Sequence, residues 1–222
     1  MIRMCNIIKM NKLTIEKVSK EIKGTKILDD INISMESGKI YGLVGKNGSG
    51  KTMLIRTISG LLKPTEGLIK YNNNILYKDI DFIPDIGIVI ENISLYKEFT
   101  GKKNLELLAK IRKKCSKSEI ETALQRVGLD PTDKRIVKKY SLGMRQRLTL
   151  AQAIMEKPNV LLLDEPTNAL DSDGVELIRT ICLEELKRGA IVLIASHNKD
   201  DINKLCNIKF AMNNGKLEVL DQ

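Results

Sequence analysis

The fold of this chain is decided by the stretch Ile40-Tyr41-Gly42-Leu43-Val44-Gly45-Lys46-Asn47-Gly48-Ser49-Gly50-Lys51-Thr52. Residues 40–44 are an apolar run that is short enough for a buried strand. Residues 45–52 fit the pattern G-x-x-x-x-G-K-[S/T], and apolar residues then recur at helical spacing through Ile58. A strand, a glycine-rich loop and a helix in that order are the context that this phosphate-binding motif requires. The stretch therefore predicts a nucleotide site.

Each residue type in this loop fits phosphate chemistry. Glycines let the backbone wrap closely around phosphates, and the start of the following helix adds a positive dipole end. Lys51 is expected to reach the β- and γ-phosphates, and the Thr52 hydroxyl to ligate Mg²⁺. ATP and Mg²⁺ are thus the expected cofactors. The predicted ATP contacts in the loop are Gly45, Asn47, Gly48, Ser49, Gly50, Lys51 and Thr52.

Two further strands end in residues that suit ATP hydrolysis. The apolar residues 160–163 are followed by Asp164 and Glu165, at the strand end where ligands sit in open parallel sheets. Asp164 can hold Mg²⁺, and Glu165 can polarise the attacking water as a general base. His197, the only histidine, follows the apolar residues 191–195 and is interpreted as a sensor of the γ-phosphate. These residues predict an ATPase in which Lys51, Glu165 and His197 are catalytic.

Composition narrows the class of protein. No apolar run approaches the roughly 18 residues that cross a bilayer, and residues 1–10 lack the features of a signal peptide, so we expect the chain in the cytosol. The four cysteines, scattered along the sequence, predict neither a zinc site nor a disulfide framework. The net charge of +9 is spread along the chain, and with 4% aromatics and no Trp a base-stacking platform is not expected. We therefore expect no nucleic-acid partner.

Another turn resembles a second anion site. Residues 140–148, Tyr-Ser-Leu-Gly-Met-Arg-Gln-Arg-Leu, place a Ser and a Gly at the start of a predicted helix. This helix closes a region, residues 101–152, whose apolar residues fall at helical period and which interrupts the strand pattern. An ordinary N-capped helix would have the same pattern, so the residues alone leave its role open.

Together, these features resemble the nucleotide-binding subunit of ATP-binding cassette (ABC) transporters. The loop at residues 45–52 is similar to the Walker A motif, and Asp164-Glu165 to Walker B with its catalytic glutamate. Residues 141–146 are similar to the family signature, residues 168–171 to the D-loop, and Ser196-His197 to the switch histidine. The resemblance covers nearly the whole chain, in the family's order and spacing.

This resemblance implies the fold. It is an α/β P-loop NTPase of the RecA-like type, with a mixed, mainly parallel sheet, an N-terminal antiparallel β subdomain and an inserted α-helical subdomain. Residues 1–222 would form a single ATPase domain, with an α/β core at 11–91 and 152–222 and the helical subdomain at 92–151.

The resemblance also implies partners. Two cassettes would close head to tail around two ATP molecules, so that Ser141 and Gly143 of one copy, or of a homologous cassette, contact the nucleotide of the other. Closure would drive a separate transmembrane permease, which would hold the chain at the inner face of the membrane.

Three features depart from the family pattern. Ile22 stands where an aromatic residue often stacks on adenine, Glu91 where a glutamine is usual, and the signature carries Leu142 and Met144 in place of Gly and Gln. Ile22 would contact the base, and Glu91 would lie near the γ-phosphate and Mg²⁺. Residues 94–105, together with Glu91 and the Tyr-Ser-Leu-Gly-Met run, resemble the branch that serves export of and immunity to peptide antibiotics of bacitracin or lantibiotic type.

Two alternatives remain at this point. The net charge of +9 would suit a soluble ABC-type ATPase that acts on nucleic acid or in translation, although no coiled-coil insertion, zinc module or second cassette is visible. Ile22 and Glu91 would suit a regulatory cassette that binds ATP but hardly turns over. The complete set of Lys51, Asp164, Glu165 and His197 favours turnover.

Overall fold

A computed structural model describes residues 10–90, 95–168 and 170–220, and in these ranges the chain builds two β-sheets and a layer of helices. The strands are β1 (Lys12–Ile22), β2 (Thr25–Glu36), β3 (Lys39–Val44), β4 (Glu66–Tyr71), β5 (Asn74–Ile75), β6 (Ile86–Val89), β7 (Val160–Asp164), β8 (Ile191–Ser196), β9 (Ile208–Asn213) and β10 (Lys216–Leu220). The helices are α1 (Lys51–Ile58), α2 (Gly101–Arg112), α3 (Lys117–Arg126), α4 (Leu142–Ile154), α5 (Ser172–Lys187) and α6 (Lys199–Leu205), with a 3₁₀ turn at Val137–Lys139.

The larger sheet has the order β10-β9-β3-β8-β7-β6, and its pairs from β9 to β6 are parallel. Strand β8 lies between β3 and β7, so the loops that follow these three strands meet at one edge of the sheet. Successive residues of β7 face opposite sides, Leu161 toward the helical layer and Leu162 toward the smaller sheet. Burial on both faces explains why β7 and β8 are continuous apolar runs, as predicted.

The smaller sheet is antiparallel, with the order β2-β1-β4-β5. Inward-facing residues such as Leu13 and Leu28 pack with Leu54 of α1 and with Leu162 and Leu193 of the larger sheet. Helix α1 therefore lies in the core between the two sheets, which fixes the direction in which its N-terminus points. The mixed sheet, the N-terminal antiparallel sheet and the helical insertion confirm the predicted fold class.

Local signals start the helices of the inserted region. Thr100 caps α2, and Ser116 with Glu119 forms a reciprocal capping box at α3. The predicted apolar face is buried, with Leu105 on α2 and Leu124 on α3 packed in one core cluster. The expected boundary between residues 151 and 152 falls inside α4, which runs without a break from the insertion into the core.

Two expectations about the whole chain can be compared with this structure. Among the described residues, none of the helices combines the length and apolar character required to cross a membrane. Cys115, Cys182 and Cys206 are free thiols, whereas Cys5 lies outside the described residues.

Candidate functional site

A cavity of about 600 Å³ opens at the edge of the larger sheet where β3 ends. Its walls include the loop residues Asn47, Gly48 and Gly50, the first residues of α1, and Glu165 from the end of β7. The predicted phosphate-binding loop and the predicted general base thus line the same cavity.

The loop is held close to the protein backbone on one side. A Cβ atom at Gly45 would lie 2.4 Å from the Met212 carbonyl oxygen and 2.6 Å from Ser49 Oγ. Gly50 has a φ of 110°, a conformation that other residues rarely adopt, and it turns the chain directly into α1. Ser49 N donates to Lys46 O at 3.1 Å, and Gly215 N donates to Ser49 O at 2.9 Å. The loop is therefore anchored to the β9–β10 hairpin and wraps tightly ahead of the helix.

Lys51 is buried at the bottom of the loop, with 5% of its surface exposed. Its ammonium group donates to Gly45 O at 2.7 Å and to Lys46 O at 3.3 Å, and it lies 3.4 Å from Glu165 Oε1. The backbone carbonyls keep the charged nitrogen inside the loop, where an entering phosphate can replace them as its hydrogen-bond acceptor.

Thr52 and Asp164 meet although 112 positions separate them. Thr52 Oγ1 donates to Asp164 Oδ2 at 2.6 Å, and Asp164 is buried. A hydroxyl and a carboxylate form an all-oxygen donor set, which suits Mg²⁺ because this ion keeps several waters and completes its octahedron with substrate phosphates. The described residues contain no cluster of three or more His, Cys, Asp or Glu side chains that could hold a metal without such help.

Glu165 lies deep in the site in a constrained backbone conformation. Its φ is 48°, and its backbone N donates to Ala195 O at 2.8 Å. Its Oε2 lies 2.8 Å from Nδ1 of His197, and it also accepts a hydrogen bond of 3.2 Å from Ser196 Oγ. The structure thus brings together the predicted catalytic residues Lys51, Glu165 and His197.

The contact between Ser196 and Glu165 was not predicted from the sequence. The sequence feature that could have indicated it is the position of Ser196 at the C-terminal end of an apolar strand, directly before His197. The strand order that brings it to Glu165 is a property of the tertiary fold.

The signature residues lie elsewhere. Ser141 caps α4 by accepting from Met144 N at 3.1 Å, and Leu142 is 57% exposed. Ser141 and Gly143 line a second cavity of about 730 Å³, bordered also by Asp171. Among the described residues that line this second cavity, none lines the loop cavity.

The predicted base contact, Ile22, lies at the end of β1 and is 39% exposed. It is paired with Thr25 across the β1–β2 hairpin. In the described part of the chain, Thr25, Lys26 and Ile27 build the wall of the loop cavity on this side, and Ile22 is not among the lining residues. Glu91 lies outside the described residues.

Comparisons with known proteins agree with this geometry. The family model described as ABC transporter matches residues 28–168. An uncharacterized ABC transporter ATP-binding protein of Bacillus subtilis is 50% identical, over 92% of this chain and 94% of its own length. The bacitracin transport ATP-binding protein of Enterococcus faecalis is 38% identical over 91% of this chain and 66% of its own length. The lantibiotic transport ATP-binding protein of Streptococcus pyogenes is 34% identical over 92% of this chain and 88% of its own length.

Solved structures show the same architecture. The ATP-binding subunit of an ABC transporter superposes with a TM-score of 0.83 at 25% identity, covering 94% of this chain and 90% of that one. A dimeric bacterial ABC transporter cassette gives a TM-score of 0.83 at 23% identity, covering 95% of this chain and 99% of that one. This second likeness shows the fold alone. The matched family model and the similarity to these relatives agree with the assembled loop site. They show that the chain belongs to the ABC transporter family as an ATP-binding subunit.

Proposed function

We propose that the chain hydrolyses Mg²⁺-ATP in the cavity of the phosphate-binding loop and uses the cycle to drive a separate membrane permease. The observation that carries this proposal is the convergence of Lys51, Thr52 and Glu165 on one cavity, with Asp164 bonded to the Thr52 hydroxyl. A cation, a hydroxyl–carboxylate pair and a buried carboxylate are the groups that phosphoryl transfer to water needs.

Each residue has a distinct role in this proposal. Loop N–H groups and Lys51 bind the phosphates, and Thr52 with Asp164 holds the metal ion. When bound, Mg²⁺ supplies charge neutralisation for the phosphate oxygens. Glu165 Oε1 accepts a proton from water as the water oxygen bonds to the γ-phosphorus and the bond from that phosphorus to the bridging oxygen breaks, which yields ADP and phosphate. His197 lies beside Glu165 and is proposed to sense the γ-phosphate.

A complete site would need a second chain. Ser141 and Gly143 line a cavity of their own, at the N-terminus of α4, where backbone N–H groups favour an anion. This separation supports a head-to-tail dimer in which the signature of one copy, or of a homologous cassette, covers the ATP of the other. A cassette of the same fold has been described as a dimer.

The transport role rests on the relatives. Two of them are named for bacitracin and lantibiotic transport. This supports export of a peptide antibiotic, or of a lipid-like or drug-like compound, through a transmembrane permease that holds this chain at the inner face of the membrane. Residues 92–151 would form the helical subdomain that transmits the motion, and residues 11–91 and 152–222 the ATP-binding core.

The test is a nucleotide-trapped dimer of the Glu165→Gln variant. Gln keeps the shape of the side chain but removes the general base, so ATP should remain bound. We expect light scattering to show a shift from 25.0 kDa to twice that mass on addition of Mg²⁺-ATP, with turnover reduced at least about 100-fold. Glu176→Gln is the matched control, since this exposed glutamate lies on α5 away from the cavity.

Two results would contradict the proposal. One is a Glu165→Gln variant that hydrolyses ATP at the wild-type rate, which would remove the assigned base. The other is a variant that binds ATP but stays monomeric at high protein concentration, which would remove the shared site.

A further inference from the structure

Ser196 connects the strand of the phosphate-binding loop with the strand of the carboxylates. It ends β8, is 1% exposed and pairs in register with Val44 of β3. Its carbonyl oxygen accepts from Gly45 N, the first residue of the loop, at 3.4 Å. The side chain of this residue points the other way along the edge, to Glu165.

The hydroxyl of Ser196 has its orientation fixed by two partners. Asn198 N donates to Ser196 Oγ at 3.1 Å, which occupies a lone pair of the hydroxyl oxygen. The hydroxyl proton is then free for Glu165 Oε2, an atom that can only accept while the carboxylate is ionised. Asn198 is itself held by the cap that it provides to Asp200 N at 2.9 Å. The donor is therefore locked in place by the turn that follows β8.

The two oxygens of Glu165 have different surroundings. Oε2 contacts both Ser196 and His197, whereas Oε1 is buried, has no hydrogen-bond partner within the described ranges and lies 3.4 Å from Lys51 Nζ. Because Glu165 N also donates to Ala195 O, the residue is attached to β8 at its backbone and at Oε2. One oxygen is anchored to β8, and the other faces the ammonium group of Lys51, which an entering phosphate would engage.

We propose that Ser196 is a positioning residue for Glu165: its buried hydroxyl holds Oε2 against β8 so that Oε1 is the oxygen that faces the attacking water. This inference rests on the proposed role of Glu165 as the base. His197 contacts the same oxygen, but its side chain is 49% exposed and its donor role depends on its tautomer. The Ser196 hydroxyl is buried, and its ability to donate to Oε2 does not depend on the tautomer of His197.

The test compares Ser196→Ala, Ser196→Cys and Ser196→Thr. Alanine removes the donor, cysteine keeps the side-chain shape with a weak donor, and threonine keeps the hydroxyl. For Ala and Cys we expect kcat to fall about tenfold, the effect of losing one hydrogen bond to a charged group, with KM within about twofold. Thr should retain at least half of the wild-type kcat. Thermal melting verifies folding of each variant.

Ser19→Ala is the matched control. Ser19 is also a buried serine whose Oγ accepts from a backbone N–H, that of Asp30 at 3.1 Å, but it lies in the antiparallel sheet. Its loss should change the melting temperature as much as the loss of Ser196 does, while kcat stays at the wild-type value.

A double variant separates positioning from general damage. In the Glu165→Gln background, Ser196→Ala should leave the residual turnover unchanged, because the base that it positions is absent. The double variant should still bind ATP and form the nucleotide-trapped dimer.

The inference is overturned if Ser196→Ala and Ser196→Cys keep the wild-type kcat, if Ser196→Thr is as slow as the alanine variant, or if the alanine effect persists in full without Glu165. An inactive Glu165→Gln variant beside an unaffected Ser196→Ala variant would refute this inference alone. A fully active Glu165→Gln variant would refute the proposed function.

Discussion

Replacing Gly45 with alanine tests whether the loop geometry controls nucleotide binding. The added Cβ would lie 2.4 Å from the Met212 carbonyl oxygen and 2.6 Å from Ser49 Oγ, about 1 Å closer than the roughly 3.5 Å of an ordinary contact. Met212 is held in the β9–β10 ladder, where it pairs with Leu217, and its backbone cannot retreat freely. The loop therefore has to move away from β9 by about 1 Å. A misplacement of that size can lower a catalytic rate roughly 100-fold, and we expect a loss of similar size in ATP affinity.

The expected result is a dissociation constant for Mg²⁺-ATP raised about 100-fold, equivalent to about 2.7 kcal/mol. Overpacking should also lower the free energy of unfolding by about 1–3 kcal/mol. Calorimetric titration in the Glu165→Gln background prevents turnover during the measurement, and urea unfolding without nucleotide gives the stability.

Gly38→Ala is the control for the general cost of replacing a glycine. Gly38 has a φ of 76° in the β2–β3 turn, and an added Cβ would meet no atom within 4 Å. It should cost about 1–2 kcal/mol of stability through backbone strain and leave ATP affinity within about twofold. A Gly45→Ala variant that binds ATP as the parent does would refute the steric argument, and equal weakening by Gly38→Ala would attribute the effect to global destabilisation.

Two further predictions concern buried charges and buried thiols on the helical side of the larger sheet. Arg126 of α3 pairs at 2.9 Å with Glu185 of α5, which is 1% exposed and also pairs with Arg188. Because Arg188 remains as a partner, Arg126→Ala should destabilise the protein by about 2 kcal/mol in urea unfolding, less than the roughly 3–5 kcal/mol of a buried charge left unpaired. Lys70→Ala, which breaks an exposed pair, should cost less than about 1 kcal/mol, and equal costs would contradict the role of burial. Burial raises the pKa of the Cys182 thiol far above its usual range and that of Cys206 to about 12. Among these three thiols of the described ranges, labelling of the folded protein at pH 8 with a thiol reagent should therefore modify half-buried Cys115 first. Labelling of Cys182 at the same rate as Cys115 would contradict the packing.

The strand–loop–helix arrangement around residues 45–52 was confirmed, because the pattern that predicted it is local. Residues 45–52 read as a phosphate-binding turn between a strand and a helix, and the structure has β3 before them and α1 after them. The continuous apolar runs of β7 and β8 predicted strands buried on both faces, and these strands lie in the centre of the parallel sheet. Both signals depend on a few consecutive residues.

Prediction was less complete where a contact depends on the order of strands. Ile22 was predicted to contact the base, and in the structure Thr25, Lys26 and Ile27, on the facing strand of the hairpin, line the cavity. That role for Ile22 stays a prediction. The expected boundary between residues 151 and 152 lies within α4, which contains no proline, and the division into core and helical region likewise stays a prediction.

By itself, the sequence determined which chemical groups this protein carries and at which strand ends they lie. Periodicity, the glycine pattern and acidic residues after an apolar run are local properties, so they can be read without coordinates. Only the tertiary structure decided which of these groups touch. Placing β8 between β3 and β7 joins Thr52 to Asp164 across 112 positions and Ser196 to Glu165 across 31. Such contacts follow from strand order and register, which are set by burial over the whole sheet rather than by neighbouring residues.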